Sequence, residues 1–208
     1  MGASPHGGPF AAGRARRGAG GAPRADNRLA LILDEAARLF RAKGYAAASM
    51  RDIAAAADML PGSLYYHFAS KEALLVAVYA EGVRRISEAV ERAIAGKRDP
   101  WERLEAGCIG HLEALLQESD YAQVVIRVRP SDAPAVAAEL VRLRDGYESV
   151  FRTLIDALPL GRGADRRALR LMLVGALNWS QTWYRKGREK PREIARTFVR
   201  LLRTQLET

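Results

Sequence analysis

The chain has 208 residues, of which 49% are hydrophobic and 7% aromatic, and its formal net charge is +9. This length permits one large domain or two smaller ones, and the abundance of Ala and Leu favours packed helices over sheets. The single cysteine, Cys108, excludes an intrachain disulfide and a thiolate metal cage. No segment has the apolar length of a signal peptide core or a membrane span, so we expect a soluble, cytoplasmic protein.

The positive charge makes nucleic acid the first partner to consider, because phosphate groups attract Lys and Arg and binding releases counterions. The basic residues are spread along the whole chain, however, rather than confined to one segment. Charge alone therefore does not identify the partner.

Residues 1–25 consist mainly of Gly, Ala, Pro and Arg and show no apolar periodicity. Such a segment cannot bury enough apolar surface to offset the entropy of ordering, so we predict a disordered arm. Its basic residues are Arg14, Arg16, Arg17 and Arg24. Two interpretations stay open for them: a solvated tail, or a flexible cation that strengthens DNA binding as basic arms do in minor grooves.

An amphipathic helix is predicted next, capped by Asp26 or Asn27 and ended by Gly44. Its apolar residues recur at intervals of three and four, which is typical of one buried helix face. They are Leu29, Ile32, Leu33, Ala36, Leu39 and Phe40.

Two short helices joined by a tight turn follow this first helix. Ser49 caps the first of them, with Asp52 in the capping-box position, and Pro61 suits the first turn of the second. The second short helix contains Gly62-Ser63-Leu64-Tyr65-Tyr66-His67-Phe68. This order predicts a helix-turn-helix, whose second helix enters the major groove of DNA. The alternative is an aromatic core cluster, but adjacent tyrosines on a helix cannot both face one core.

The remainder of the chain predicts further helices, the first of them capped by Ser70. The segments lie near 71–96, 100–118, 120–129, 134–158, 164–187 and 190–206, and they are separated by Gly and Pro. We therefore predict an all-α protein of about nine helices. A three-helix DNA-binding domain over residues 26–72 precedes a larger helical domain over residues 73–208.

Three consecutive motifs resemble the TetR family of transcriptional repressors. They are Ser49-Met50-Arg51-Asp52-Ile53-Ala54, then Gly62-Ser63-Leu64-Tyr65-Tyr66-His67-Phe68, then Ser70-Lys71-Glu72-Ala73-Leu74-Leu75. The resemblance covers about residues 28–76. It implies a dimeric repressor that binds a pseudo-palindromic operator and releases it when a small molecule occupies the C-terminal domain.

The resemblance also implies which residues meet the DNA. They are Ser49, Arg51, Gly62, Ser63, Tyr65, Tyr66, His67 and Lys71. Of these, Arg51 and Tyr65 are expected to reach base edges. Gly62 and Ser63 begin the recognition helix, and the remaining residues approach the DNA backbone.

Two residues depart from the family pattern. Asp58 stands in the turn where the family usually has Gly, but Asp tolerates the left-handed conformation, so we expect the turn to form. Leu60 stands where Ser, Thr or Ala is common, and Leu cannot cap the third helix.

Dimerisation through the last two long helices is a further implication of the resemblance. Segment 164–187 carries two apolar stripes, one of Leu169, Leu173, Ala176, Leu177 and Tyr184, the other of Met172, Gly175, Trp179 and Trp183. A helix with two apolar faces needs two packing partners. A matching stripe in the last segment contains Ile194, Phe198, Leu201, Leu202 and Leu206. The alternative is a helix buried on all sides within one monomer.

The effector is expected among the middle helices, because aromatic residues with a few polar groups form such pockets. Candidate lining residues are Trp101, Cys108, Leu112, Tyr121, Val125, Tyr147, Phe151, Asn178, Trp179 and Trp183, and for each a plain core role is the alternative. Cationic candidates for an anionic effector are Arg127 and Arg129, or Arg162, Arg166 and Arg167. The stretch from Asn178 to Ala195 resembles TetR-type regulators that sense acyl-CoA thioesters, which favours an effector of that class over drug-like ligands.

Three other functions compete with this interpretation. Cys108 and His111, three residues apart, could pair as nucleophile and base, but no orienting third group or oxyanion site accompanies them. A non-specific structural DNA-binding protein would leave the long C-terminal domain without a purpose. A transcriptional activator of the same fold stays open. We expect no enzyme, no cofactor and no metal.

Overall fold

A computed structural model describes residues 22–117 and 119–206, with side chains from Asn27 onwards. The described residues form nine α-helices and two short 3-10 turns, which confirms the predicted all-α class. The helices are α1 (Ala22–Lys43), α2 (Met50–Ala56), α3 (Pro61–His67), α4 (Lys71–Ile94), α5 (Pro100–Leu116), α6 (Asp120–Arg127), α7 (Ala137–Asp156), α8 (Arg166–Trp183) and α9 (Pro191–Leu206).

Helix α1 begins at Ala22, before the predicted cap at Asp26 or Asn27, so that prediction was wrong and both residues lie within the helix. Ala and Arg are strong helix formers, and they extend the helix into the segment predicted as a disordered arm. Pro23 falls in the first turn, where its missing N–H removes no helical hydrogen bond. The preceding part of the predicted arm lies outside the described residues.

The helix-turn-helix is closed by the hydrogen bonds that its sequence predicts. The Ser49 side chain accepts from the backbone N–H of Asp52, and the Asp52 carboxylate accepts from that of Ser49. After α2, Asp58 adopts a positive φ of 51°. The N–H groups of Asp58 and Met59 then bond the carbonyls of Ala55 and Ala54, which is a Schellman motif built without glycine.

Two hydrophobic cores organise the chain, and α4 belongs to both. Leu74, Leu75 and Val78 pack in the first core with α1, α2, α3 and α6. Ile86 and Val90, further along α4, pack in the second core with α5, α7, α8 and α9. The change from one core to the other therefore occurs in the middle of α4, beyond the boundary at residue 72 that the sequence predicts.

Two glycines let α4 lie very close to its neighbours. A Cβ added to Gly82 would lie 2.6 Å from Cγ2 of Val125 and 2.9 Å from the carbonyl oxygen of Tyr121, both on α6. A Cβ on Gly110 of α5 would lie 2.8 Å from the carbonyl oxygen of Ala89 on α4. Only glycine permits these close helix crossings.

Helix α5 runs through the second core, packed against α4, α7, α8 and α9.

Within the part of the chain that is described, no helix is long and apolar enough to cross a bilayer.

Candidate DNA interface and effector site

Helix α3 presents its polar face to solvent, as a recognition helix requires. Leu64 is fully buried in the first core and holds the helix in place. Tyr65 is 52% exposed and Tyr66 is 89% exposed, which excludes the alternative of an aromatic core cluster. Gly62, Ser63 and His67 are exposed on the same helix. The N-cap residue Leu60 makes no side-chain cap, as predicted.

Helix α2 places two more of the predicted DNA contacts on the surface. Ser49 and Arg51 are both exposed at its N-terminal end. The Ser49 hydroxyl is held by its capping bond from the Asp52 N–H, at 3.1 Å. This bond fixes the side chain but leaves the hydroxyl accessible to a phosphate.

Lys71 has a structural role that the sequence did not indicate. Its ammonium donates to the backbone carbonyls of Tyr45, Ala46 and Ala48 at 3.0, 3.3 and 3.1 Å. Beside it, the Tyr45 hydroxyl donates to the carboxylate of Glu72 at 3.0 Å. These contacts join the start of α4 to the turn before α2, so Lys71 positions the helix-turn-helix. A contact between Lys71 and phosphate stays a prediction.

Helices α8 and α9 leave one apolar face exposed. The stripe of Leu169, Leu173 and Leu177 is buried in the second core, whereas Met172 is 56% exposed and Trp179 is 67% exposed. This difference excludes the alternative of a helix buried on all sides within the monomer. An apolar groove of about 350 Å³ continues the exposed face between α8 and α9, lined by Met172, Ala176, Phe198, Leu201, Leu202 and Leu206 among others.

A polar triad lies at the second core, with His111 and Tyr147 buried and Asn178 half-buried. Nδ1 of His111 on α5 lies 2.5 Å from the Tyr147 hydroxyl on α7, and Nε2 lies 3.1 Å from Oδ1 of Asn178 on α8. Burial lowers the pKa of His111 to about 4, so the ring is neutral at pH 7. Burial also raises the pKa of Tyr147, which keeps its hydroxyl protonated. The Tyr147 O–H therefore donates to Nδ1, and the Nε2–H donates to Asn178.

The predicted effector residues separate into groups rather than lining one cavity. Cys108, Leu112 and Phe151 surround the triad as fully buried core residues. Trp101 is buried at the contact of α5 with α9, and its indole N–H has no partner among the described residues. Tyr121 and Val125 lie instead on α6 against α4, where the Tyr121 hydroxyl donates to Asp34 of α1. Trp179 and Trp183 are exposed on α8.

The sequence-based interpretation treats His111 only as a possible base for Cys108, and it does not predict the triad. Both ring nitrogens of His111 face Tyr147 and Asn178 instead. Burial raises the pKa of the Cys108 thiol, which keeps it protonated and unreactive. A histidine on an apolar helix face was the available signal, because a buried imidazole needs polar partners.

The predicted cationic residues also occupy different surroundings. Arg166 donates to the carbonyls of Ile155 and Leu158 and so caps the end of α7. Arg129, Arg162 and Arg167 are exposed. Arg127 lines a cleft at one end of the second core, together with cations that the sequence analysis did not connect with it.

A helix-turn-helix followed by a helical domain with its own core defines a DNA-binding regulator. Comparison with known protein families identifies the family of regulators to which the chain belongs. Residues 32–78 match the model of bacterial regulatory proteins of the tetR family, and residues 97–206 match the tetracyclin repressor-like C-terminal domain. The chain belongs to the TetR family of transcriptional regulators, as its sequence motifs predicted.

Relatives with curated names include both repressors and activators. The transcriptional repressor KstR2 of Mycobacterium tuberculosis is 31% identical over 163 residues, which are 75% of this chain and 80% of KstR2. The transcriptional activator FasR of Mycolicibacterium smegmatis is 27% identical over 150 residues, which are 72% of this chain and 67% of FasR.

A solved structure of the regulator AibR in complex with isovaleryl coenzyme A and operator DNA has a similar fold. The TM-score is 0.72 at 26% sequence identity, over 83% of this chain and 96% of AibR.

The buried imidazole predicts a pH dependence of stability. The pKa of His111 lies near 4, below its ordinary value of 6.5, so the unfolded chain binds a proton that the folded chain does not. Stability is therefore lost as the pH falls from 6.5 towards 4, by about 2 kcal/mol at pH 5. Urea unfolding at fixed protein concentration between pH 7.5 and pH 5 measures this loss.

The exposed His67 supplies the matched control for this experiment. His111→Gln should abolish the loss between pH 7.5 and pH 5, whereas His67→Gln should keep it. An unchanged pH profile in the His111→Gln variant would show that this imidazole is not held neutral by the fold.

Proposed function

We propose that this protein is a cytoplasmic, ligand-responsive transcriptional repressor. It binds a pseudo-palindromic operator as a homodimer and is released by a small hydrophobic or acyl-CoA-like effector. The observation that carries the DNA-binding part is the exposure of Tyr65 and Tyr66 on a helix anchored by the buried Leu64.

The chemistry of the exposed side chains supports the DNA interface. Tyr65, on the outward face of α3, presents a planar side chain that fits against base edges or thymine methyl groups. Arg51, exposed on α2, can pair with guanine through two hydrogen bonds. Ser49, Tyr66 and His67 flank these two residues and suit the sugar–phosphate backbone, which fixes the position of the protein on the duplex.

The exposed face of α8 and α9 supports a dimer. One helix-turn-helix binds DNA weakly, whereas two related by a two-fold axis can meet half-sites one helical turn apart. A contiguous apolar surface on a regulator marks a protein contact, and here it combines Met172, Trp179 and Leu201. Pairing of this face with its copy forms a four-helix bundle.

The effector class is supported by one comparison and one structural feature. AibR, which has the same fold, was solved with isovaleryl coenzyme A. In the present chain, α5, α7 and α8 enclose an apolar core that contains the polar groups of His111, Tyr147 and Asn178. Effector pockets combine an apolar lining with a few polar groups in this way.

The proposed mechanism is a population shift. An effector that binds better to a conformation with displaced α4 favours that conformation. Because α4 packs in the DNA-binding core as well, the two recognition helices of the dimer then lose their half-site spacing. Affinity for the operator falls as a result.

Activation of transcription is the second candidate function, and the similarity to the activator FasR favours it.

A third candidate, a structural DNA-binding protein, differs from a regulator in its preference for one DNA sequence over others. A regulator prefers its operator over random duplex by about a thousandfold or more at physiological salt. Transcription of a reporter gene behind the selected operator distinguishes repressor from activator, because the sign of its response to the protein differs.

Two adjacent tyrosines provide a matched test of the DNA interface. Selection from a random duplex library defines the preferred sequence of the unmodified protein. Tyr65→Ala should then change the preferred bases, because a contact with base edges is lost. Tyr66→Ala should weaken all sequences alike, because a backbone contact carries no sequence information. Fluorescence anisotropy with the selected and scrambled duplexes measures both effects, and an identical response of the two variants contradicts the assignment.

A charge placed in the exposed apolar face should separate the dimer. Met172→Asp puts a carboxylate into the proposed interface, where its desolvation is costly. We expect a monomer in sedimentation equilibrium at micromolar concentration and the loss of binding to the full operator. Ala138→Asp, at an exposed position of α7, is the control and should remain dimeric. A monomeric unmodified protein would overturn the proposed dimer.

The effector and the operator should weaken each other by equal factors. Coupling between two sites is reciprocal and commonly amounts to about 5- to 150-fold. A series of acyl-CoA thioesters that begins with isovaleryl-CoA is titrated against the protein with and without operator, and free coenzyme A shows the contribution of the acyl group. If no member of the series changes operator affinity, the proposed effector class is wrong.

A further inference from the structure

A basic cleft opens at the end of the second core nearest α1. It has a volume of about 780 Å³ and is lined by parts of α1, α5, α6 and α8 and by the segment that leads into α9. Its described cationic lining residues are Arg41, Arg127, Lys186, Lys190 and Arg192, and Glu113 is the carboxylate among the lining residues that the structure describes. These lining residues together form the basic cleft.

Internal ion pairs neutralise only part of this charge. Arg192 lies 3.6 Å from the Glu113 carboxylate, and Arg41 lies 2.8 Å from Asp120 at the start of α6. Arg127, Lys186 and Lys190 are exposed around the same opening. Among the described residues the cations of the cleft therefore outnumber the carboxylates, and the walls of a cleft strengthen the field of such charges.

A buried amide is the second feature that indicates a ligand. Gln123 lies one turn before Arg127 on α6, is only 8% exposed and lines the cleft. Its side-chain amide makes no hydrogen bond to a described residue but is not sealed from solvent, because Trp101 Nε1 is the only fully buried side-chain polar atom without a partner among the described residues. The amide therefore opens into the cleft, where a ligand can supply the hydrogen bond that no described residue makes. An amide that donates into a cationic cleft matches an anion with several acceptor oxygens.

The cleft also lies close to the polar triad. Leu115 lines the cleft one turn after His111 on α5, and Gln181 lines it one turn after Asn178 on α8. Residues three and four apart lie on the same face of a helix. One molecule with an anionic end in the cleft and an apolar end towards His111 would therefore span a short distance.

We propose that the basic cleft binds the phosphate groups of the effector, namely those of the coenzyme A portion of a thioester. This inference rests on the proposed function, which it deepens by separating recognition of the anionic end from recognition of the acyl group. Arg127, Lys186 and Lys190 bind the phosphate oxygens through charge-assisted bonds. Gln123 supplies a neutral donor from the buried side of the cleft.

Binding of free coenzyme A to the full-length protein, without DNA, tests the proposal by calorimetry. The double variant Arg127→Gln/Lys190→Gln should weaken binding by about tenfold or more, since it removes two charge-assisted bonds to phosphate. Arg152→Gln removes the same charge from an exposed position on α7 and should bind coenzyme A as the unmodified protein does.

Gln123→Leu separates ligand binding from stability. Replacing this amide, which makes no hydrogen bond to a described residue, by an apolar side chain of similar size should leave the free energy of unfolding unchanged or raise it, yet weaken coenzyme A binding. A structural role for Gln123 would instead lower stability. If this variant does not fold, the double variant still decides the question.

Ligands that lack parts of coenzyme A identify the source of the phosphate. Pantetheine, which carries no phosphate, should bind at least about tenfold more weakly than coenzyme A. Inorganic phosphate or pyrophosphate that binds as tightly as coenzyme A would overturn the assignment to the thioester. Operator binding that weakens in the ligand-free double variant would make the cleft part of the DNA interface, and it would also overturn the proposal.

Failure of the phosphate site can be distinguished from failure of the proposed repressor function. If coenzyme A binds in the cleft but no thioester releases the operator, the repressor mechanism fails while the phosphate site stands. If thioesters release the operator equally well from the double variant, the phosphate site fails while the proposed function stands.

Discussion

Helix α4 packs in two hydrophobic cores, and this constraint connects the two ends of the molecule. Its 24 residues span about 36 Å. Leu75 and Val78 are fully buried in the first core, and Val90 is fully buried in the second. Cores are packed as densely as organic crystals, so a shift of α4 in one of them disturbs its contacts in the other. The orientation of the DNA-binding helices therefore depends on how the second core is packed.

Specific contacts fix both the start and the middle of α4. At its start, Lys71 bonds three carbonyls of the turn before α2, so the helix-turn-helix follows α4 as a unit. In its middle, Gly82 lies directly against the backbone of Tyr121 on α6. The Arg85 guanidinium lies 4.0 Å from the centre of the Tyr121 ring, and the Tyr121 hydroxyl bonds Asp34 of α1. Helix α6 thus contacts α1 and α4 together, and the two helices are not independent of it.

The N-terminal part of the fold was predictable because its signals are local. Ser49 and Asp52 form the capping box that their spacing indicates, and Asp58 adopts the left-handed turn. Such features depend on neighbours within about four residues, so the sequence contains them completely. The exception is the start of α1, where the helix begins several residues before the cap that the sequence pattern suggests.

The candidate effector site was less predictable because its features depend on tertiary packing. Periodicity shows that α8 has two apolar stripes, but it does not show which stripe faces its own core. Sequence reasoning for this reason predicts Trp179 and Trp183 as lining residues, whereas the structure exposes both on α8. The triad joins residues 36 and 67 positions apart along the chain, a separation that no local pattern contains.

The triad also limits what can enter the second core. His111, Tyr147 and Asn178 satisfy one another, and Phe151 packs edge-on against two of their rings. A ligand that separates these residues must replace their hydrogen bonds, because an unsatisfied buried donor or acceptor costs about 1–3 kcal/mol. A purely apolar molecule cannot do so. An apolar chain that ends in a carbonyl group can, since its oxygen accepts a hydrogen bond from a tyrosine hydroxyl or from an imidazole N–H. The polar content of the core is therefore compatible with the proposed effector class, in which an acyl chain ends in a hydrogen-bonding carbonyl, and it is less compatible with hydrocarbons of the same size.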